Sequence, residues 1–229
     1  MIRSRLERRI LVNYRIDPDA LASLLPAPFR PAIVGGYAVA GICLIRLGRL
    51  RPVGLPARLG ITTENAAHRI AVEWDTAGGP VAGVFVPRRD TSSRLTAALG
   101  GRAHHPARFH VEEDDGAYRI EMASLDGEVE IRLAAHGAGT VMAGSVFDTV
   151  EAASDFFRCA PVGLTPSPRV GVFDRVALTV DRWAIEPLEL DEVRSSVFDA
   201  LPATPDSAFL MHGVDATWRA RPTLLEAAR

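Results

Sequence analysis

The sequence contains no lysine and no glutamine. Its 26 basic residues are all arginine, set against 28 acidic ones, for a formal net charge of −2 and a pI near 6.3. Without lysine the chain cannot form a Schiff base on a lysine side chain, carry pyridoxal phosphate on one, or supply a P-loop lysine. Without a basic excess it has no means of neutralising a phosphate backbone, so nucleic acid is not an expected partner. A GC-rich genome would give the same arginine-for-lysine bias. Cysteine is nearly absent: Cys43 and Cys159 stand far apart, too few for a zinc site or a disulfide framework. The start, MIRSRLERRILVNYRI, lacks the apolar core of a signal peptide. No apolar run approaches the roughly 18 residues of a membrane span. These absences predict a cytoplasmic chain with reduced cysteines and no membrane partner. The familiar cofactor and catalytic motifs are missing too: no GxGxxG after a strand, no GxSxG, no HExxH. No cofactor and no metal are therefore expected.

What is present is an ordinary globular composition, 48% hydrophobic and 24% charged, over 229 residues. With no repeat, low-complexity tract or long linker, residues 1–229 read as a single domain. Strand patterns recur. Ile10 to Ile16 alternates, with Ile10, Val12, Tyr14 and Ile16 on one face. Asp17 caps a short helix with Pro18 at its first position, and Pro26 and Pro28 stop it. Phe29 to Val34 and Tyr37 to Leu47 form a hairpin about Gly35–Gly36. The segment from Gly48 to Gly60 reads as a loop or lid. Ile61 to Trp74 and Pro80 to Val86 are strands. Thr91 to Leu99 is a helix closed by Gly100 and Gly101. Ala107 to Glu112, Tyr118 to Ala123 and Glu128 to Ala135 are strands, and Asp148 with Glu151 is a capping box for a helix to Arg158. A Pro-rich loop, APVGLTPSP, follows. Val176 to Trp183 and Phe209 to Trp218 are strands, with a helix over Glu192 to Ala200. Many short strands without βαβ alternation predict an α+β fold, mostly antiparallel β: a barrel with a few short peripheral helices and an internal pocket.

The strand from Ile61 to Trp74 carries the chemistry. If Ile70, Val72 and Trp74 face the core, Glu64 and His68 face it as well. An inward carboxylate requires an arginine, a metal or a shifted pKa; the alternative is a rim position satisfied by a surface arginine. Arg15 and Arg108 lie on strands and are the candidate counter-charges, able to clamp Glu64 or a substrate carboxylate. His105, His110 and His212 are candidate proton carriers; solvated loop histidines are the plainer reading of His104–His105.

The segments VNYRIDPDALASLLPAPFRP, TTENAAHRI, LDEVRSSVFDA and SAFLMHGVDATW resemble, in order, elements of the acetoacetate decarboxylase-like superfamily. The match is closest to an uncharacterised bacterial domain-of-unknown-function family, number 2071. The resemblance spans about Arg9 to Trp218. It implies a barrel-like domain with a deep pocket, usually in an oligomer, and places the superfamily's pocket glutamate at Glu64. It also implies a Schiff-base lysine followed by a second lysine, which fall on Ala107 and Arg108 of HHPARF. The nucleophile is thus missing, and Arg108 keeps only the positive charge. A pocket arginine of the superfamily falls around Glu7 to Arg9. Two functions follow as expectations. One is a lysine-independent lyase, isomerase or hydratase acting on a small keto acid or polyketide-like metabolite. In it Glu64, Arg108 and His105 are catalytic, and Arg15, His68, His110 and His212 bind substrate. The other is a non-catalytic binding or accessory protein using the same pocket.

Overall fold

A computed structural model describes residues 1–99, 103–167, 169 and 171–224. Among the described residues thirteen strands and four short helices follow one another. They are β1 (Ile2–Ile16), α1 (Pro18–Ala22), β2 (Arg30–Pro31), β3 (Ile33–Val34), β4 (Tyr37–Pro52), β5 (Ile61–Thr76), β6 (Gly79–Thr91), α2 (Arg94–Leu99) and β7 (His104–Asp114). Then come β8 (Ala117–Ser124), β9 (Glu130–Gly137), α3 (Val150–Arg158), β10 (Val162–Pro166), β11 (Val172–Val180), β12 (Glu186–Ser195), α4 (Ser196–Asp199) and β13 (Ala203–Leu224). A 3₁₀ turn, Ala57–Leu59, sits between β4 and β5. The expected α+β, mostly antiparallel architecture holds. No helix among the described residues is long and apolar enough to cross a membrane.

All strands belong to one sheet, which closes on itself twice. The first ring runs β1–β4–β5–β6–β7–β8–β9–β12–β13 and back to β1. The second runs β1–β4–β5–β6–β10–β11–β13 and back to β1. The rings share β1, β4, β5, β6 and β13. They branch at β6, whose Val84 and Phe85 pair with β10 and whose Arg89 to Thr91 pair with β7, both in parallel. Successive side chains on a strand point to opposite faces, so each shared strand serves two interiors. Ile10, Val12, Tyr14, Ile42, Leu44, Ala66, Ile70 and Val72 line the first, with Ile120, Met122, Ile131 and Leu133 from the far wall. Leu11, Val39, Cys43, Ile45, Ala71, Phe209 and Met211 line the second, covered by Phe147 and by Phe157 of α3.

Several elements differ from expectation for local reasons. The Gly48–Gly60 segment is no lid over its first part, because β4 continues to Pro52 along β1. Part of the Pro-rich segment after α3 is β10, recruited to the branch by pairing with β6 and β11. Glu192 to Ser195 is strand, held by β9, and only Ser196–Asp199 is helical. The cap of α3 is Thr149, whose hydroxyl accepts from Ala152 N, rather than Asp148. Gly35 and Gly36, at φ 57° and 84°, make the hairpin turn between β3 and β4. The expected closure of α2 at Gly100 and Gly101 lies outside the described residues.

Candidate functional site

The even-numbered face of β5 points into the first ring, carrying Glu64, Ala66, His68, Ile70, Val72 and Trp74 in sequence. Glu64 opens the row near one mouth. It is held from two neighbouring strands. Arg8 Nη2 of β1 donates to Glu64 Oε2 at 2.5 Å, and Arg46 Nη1 of β4 donates to Glu64 Oε1 at 3.2 Å. Arg8 is 2% exposed and reaches a second carboxylate, donating through Nη1 to Glu113 Oε1 on β7, on the opposite wall of the ring. Arg46 also donates through Nε to Glu7 Oε2 at 3.0 Å. The Glu64 side chain is 14% exposed, whereas Glu113 and Arg46 are 40% and 43% exposed, so solvent reaches the group from the mouth. Register places His212 directly across from Arg8 on β13; its ring is exposed and lies 3.4 Å from Glu186. Burial and the negative charges of Glu113 and Glu186 push the phenol of Tyr118, at the same mouth, upward.

His68 lies four residues further along β5, roughly 13 Å from Glu64 at ~3.3 Å per residue. It is buried, with Nε2 3.0 Å from Ser195 Oγ, and its ring rests 5.7 Å from that of Phe198. Burial, aided by the nearby Arg88 charge, lowers its pKa to about 4, so the imidazole is neutral. Phe198 of α4 also stacks on Tyr14 at 4.4 Å, and burial pushes the Tyr14 phenol far above its ordinary range. Beside His68, Arg88 of β6 gathers three carboxylates. It donates to Asp90 (3.0 and 3.1 Å to Oδ1), to Asp126 Oδ2 at 2.7 Å and to Glu128 Oε2 at 2.6 Å. Asp90 is fully buried and its carboxyl is pushed up by burial. Asp126 is held well below the usual carboxylate range, first by the Ser124 hydroxyl. His105 joins this second group, its Nδ1 2.9 Å from Asp126 Oδ2.

Besides His68 and His105, three further expected positions do not converge on Glu64. Ala107 and Phe109 take the inward face of β7, so Arg108 and His110 point outward, and Arg108 does not stand beside Glu64. His110 bonds Glu112 at 3.3 Å and lines a cavity of about 330 Å³ on the outer wall, with Glu121, Arg132 and Glu192. Arg15 lies on the odd face of β1. It donates to Gly144 O at 2.5 Å, pairs with Asp206 at 3.6 Å, and lines a separate cavity of about 710 Å³ with Tyr37, Val146 and Phe156. The far end of the first ring, away from Glu64, is filled by aromatics. Phe29 meets Trp74, Phe85 and Phe173 at ring-centroid distances of 5.6, 5.5 and 4.9 Å.

Sequence reasoning places Glu64 and His68 on the inner face, and the resemblance puts a pocket arginine around Glu7 to Arg9 without singling out Arg8; Arg46, Glu113 and the Arg88 group have no such pointer. The alternation of Ile10, Val12 and Tyr14, extended backwards, lands on Arg8 and was the available signal. Nothing local marks Glu113, which meets Arg8 only because the ring closes.

Residues 3–152 match the model of DUF2071, described as an uncharacterised conserved protein. The chain belongs to this family. Its fold is that of the acetoacetate decarboxylases and their relatives. The acetoacetate decarboxylase of Legionella pneumophila superposes with a TM-score of 0.63 at 12% identity, over 99% of this chain and 88% of the other. An acetoacetate decarboxylase-like enzyme from Sphingomonas wittichii RW1 gives 0.60 at 16% identity, over 98% and 92%. The enduracididine biosynthesis enzyme MppR, complexed with pyruvate, gives 0.60 at 15% identity, over 99% and 90%. No curated protein matches by sequence. This DUF2071 chain carries alanine and an outward arginine where the resemblance sets the two lysines.

Proposed function

We propose that this chain is a lysine-independent proton-transfer enzyme, of lyase, isomerase or hydratase type, acting on a small keto acid at the Arg8–Glu64 mouth. The observation that carries the reading is Arg8: a buried guanidinium presenting one edge to the inward Glu64 and the other to Glu113, a half-exposed carboxylate that can leave. A substrate carboxylate replaces Glu113 on Arg8, keeping its two-sided pairing. That fixes the carbon next to the carbonyl beside Glu64. Glu64 takes the proton from that carbon, the electron pair moves to the carbonyl oxygen, and Arg46 stabilises the enolate. Return of the proton to another atom completes an isomerisation; loss of a β-substituent completes an elimination. The pyruvate complex of MppR supports a keto acid as the ligand class.

The aromatic filling of the far end favours a second reading, binding without turnover, because it shortens the space a substrate can occupy. Proton NMR in D₂O separates the two. Deuterium exchange into the C3 methyl group of pyruvate, or the C3 methylene of 2-oxobutyrate, is expected with the wild-type protein. E64Q should slow it by at least about a hundredfold while saturation-transfer signals of the bound acid persist, and R8M should lose both. Binding without exchange in the wild type establishes the second reading. Neither binding nor exchange removes keto acids from this mouth.

A further inference from the structure

The second ring has a charge imbalance that the first does not. Arg9, Arg69 and Arg89 all project from its inner face, beside Cys43. Register fixes their neighbourhood. Ala67 of β5 pairs with Cys43 on one side and Arg89 on the other, and Arg69 follows it on the same face. Arg9 Nε donates to Cys43 Sγ at 3.4 Å. Among the described residues no carboxylate lies within ion-pair reach of any of the three, in contrast to Arg8, Arg46 and Arg88.

Their neutral partners are few. Arg69, 5% exposed, donates to Asn13 Oδ1 and lies over the Phe157 ring at 5.0 Å, while its Nε is buried without a partner. Arg9 sits over the Trp183 ring at 5.8 Å, with Nη1 buried and unpartnered. Arg89 has one long bond, to Thr165 Oγ1 at 3.4 Å. Burial lowers the Arg69 pKa to about 10; the neighbouring Cys43 opposes that fall and the charge of Arg9 adds to it. A buried guanidinium stays charged, and isolated buried charge is costly unless an opposite charge joins it. The floor between the three is small: Ala67 is part-exposed, and Gly163 lies 3.3 Å, from its would-be Cβ, to Arg89 Nη2.

We propose that Arg9, Arg69 and Arg89 form a phosphate-binding site over Ala67 in the second ring, taking the phosphoryl group of a small metabolite. Three cations call for a multivalent oxyanion. Phosphate carries about −1.5 to −2 at neutral pH and has acceptors enough for all three guanidiniums. A single carboxylate would leave two of them uncompensated. The site is separate from the Arg8–Glu64 mouth: it lies on the opposite face of β1, β4, β5 and β6.

Calorimetric titration of the full chain with inorganic phosphate, in a chloride buffer of matched ionic strength, tests this. Saturable binding to the wild type is expected, with sodium acetate giving none. R89M, which breaks a single long hydrogen bond, should weaken phosphate by at least roughly tenfold. A67L fills the floor, leaves every charge in place and should abolish binding, so the outcome does not depend on R69M folding. R108M, on the outer wall, should bind as the wild type does. Absence of saturable phosphate binding, unaltered affinity in R89M and A67L, or equal binding of acetate would each overturn the proposal.

Discussion

At the scale of single residues, the first ring sorts its ionisable groups by how they are compensated. Arg8, Arg46 and Arg88 hold carboxylates; His68 holds only a hydroxyl and is kept neutral by burial. That neutrality has a pH signature. Its folded pKa, about 4, lies below the ordinary 6.5, so between these values the unfolded chain takes up a proton the folded one refuses. The contribution is complete above about pH 6.5 and is lost as pH falls toward 4, by about 3 kcal/mol in all. Urea unfolding at pH values across this window should show the loss in the wild type and much less of it in H68Q. Equal slopes would mean that His68 is charged or accessible. The residue scale also shows what sequence reading could reach. Glu64 and His68 were legible because three apolar neighbours on β5 fix their face. The face of Arg108 was not, since HHPARF offers no apolar alternation before Phe109, and Ala107 gives too weak a signal to set it. The Arg9, Arg69 and Arg89 group is invisible in one dimension: it is assembled from strands some sixty and twenty residues apart.

At the scale of elements, the shared strands are packed so closely that one small residue is indispensable. Gly41 lies mid-β4 between Asn13 and Arg69, and a Cβ there would stand 2.1 Å from Val12 O. Backbone cannot yield as a flexible side chain does, so G41A must push β1 from β4. A loss of about 3 kcal/mol or more is expected, read as a lower urea midpoint or insoluble expression. A G36A variant, at a turn where a Cβ meets nothing within 4 Å, bears only the strain of its positive φ and should cost much less. The strands themselves were largely legible from alternation, although their ends were not. β1 begins at Ile2 rather than Ile10 because pairing with β4 and β13 carries a charged stretch that has no apolar pattern of its own.

At the scale of the molecule, both closures depend on the last strand. β13 pairs with the whole of β1 from Ala203 to Trp218, with β12 near its start and with β11 from Ala216 onward. β1 and β13, some two hundred residues apart, must therefore meet before either interior is sealed, a non-local arrangement of the kind that folds slowly. A chain ending at residue 202 is expected to lose cooperative unfolding and to bind a hydrophobic dye, because neither ring can close. A sharp thermal transition in that fragment, with intact near-ultraviolet circular dichroism, would show that closure is dispensable. The antiparallel fold class was readable from the strand pattern. The double closure was not, since it depends on β6 taking two parallel neighbours, β7 and β10, which sequence alternation does not specify.

The common walls also set a rule for how such a chain can change over generations. Arg8 and Arg9, His68 and Arg69, Arg88 and Arg89 are consecutive residues, yet each pair is divided between the two interiors. A substitution can therefore alter one chamber and leave its neighbour untouched. A one-residue insertion or deletion within β1, β5 or β6 would instead swap what the chambers contain. Lineages of this fold should vary freely in residue type along these strands and hardly at all in their length.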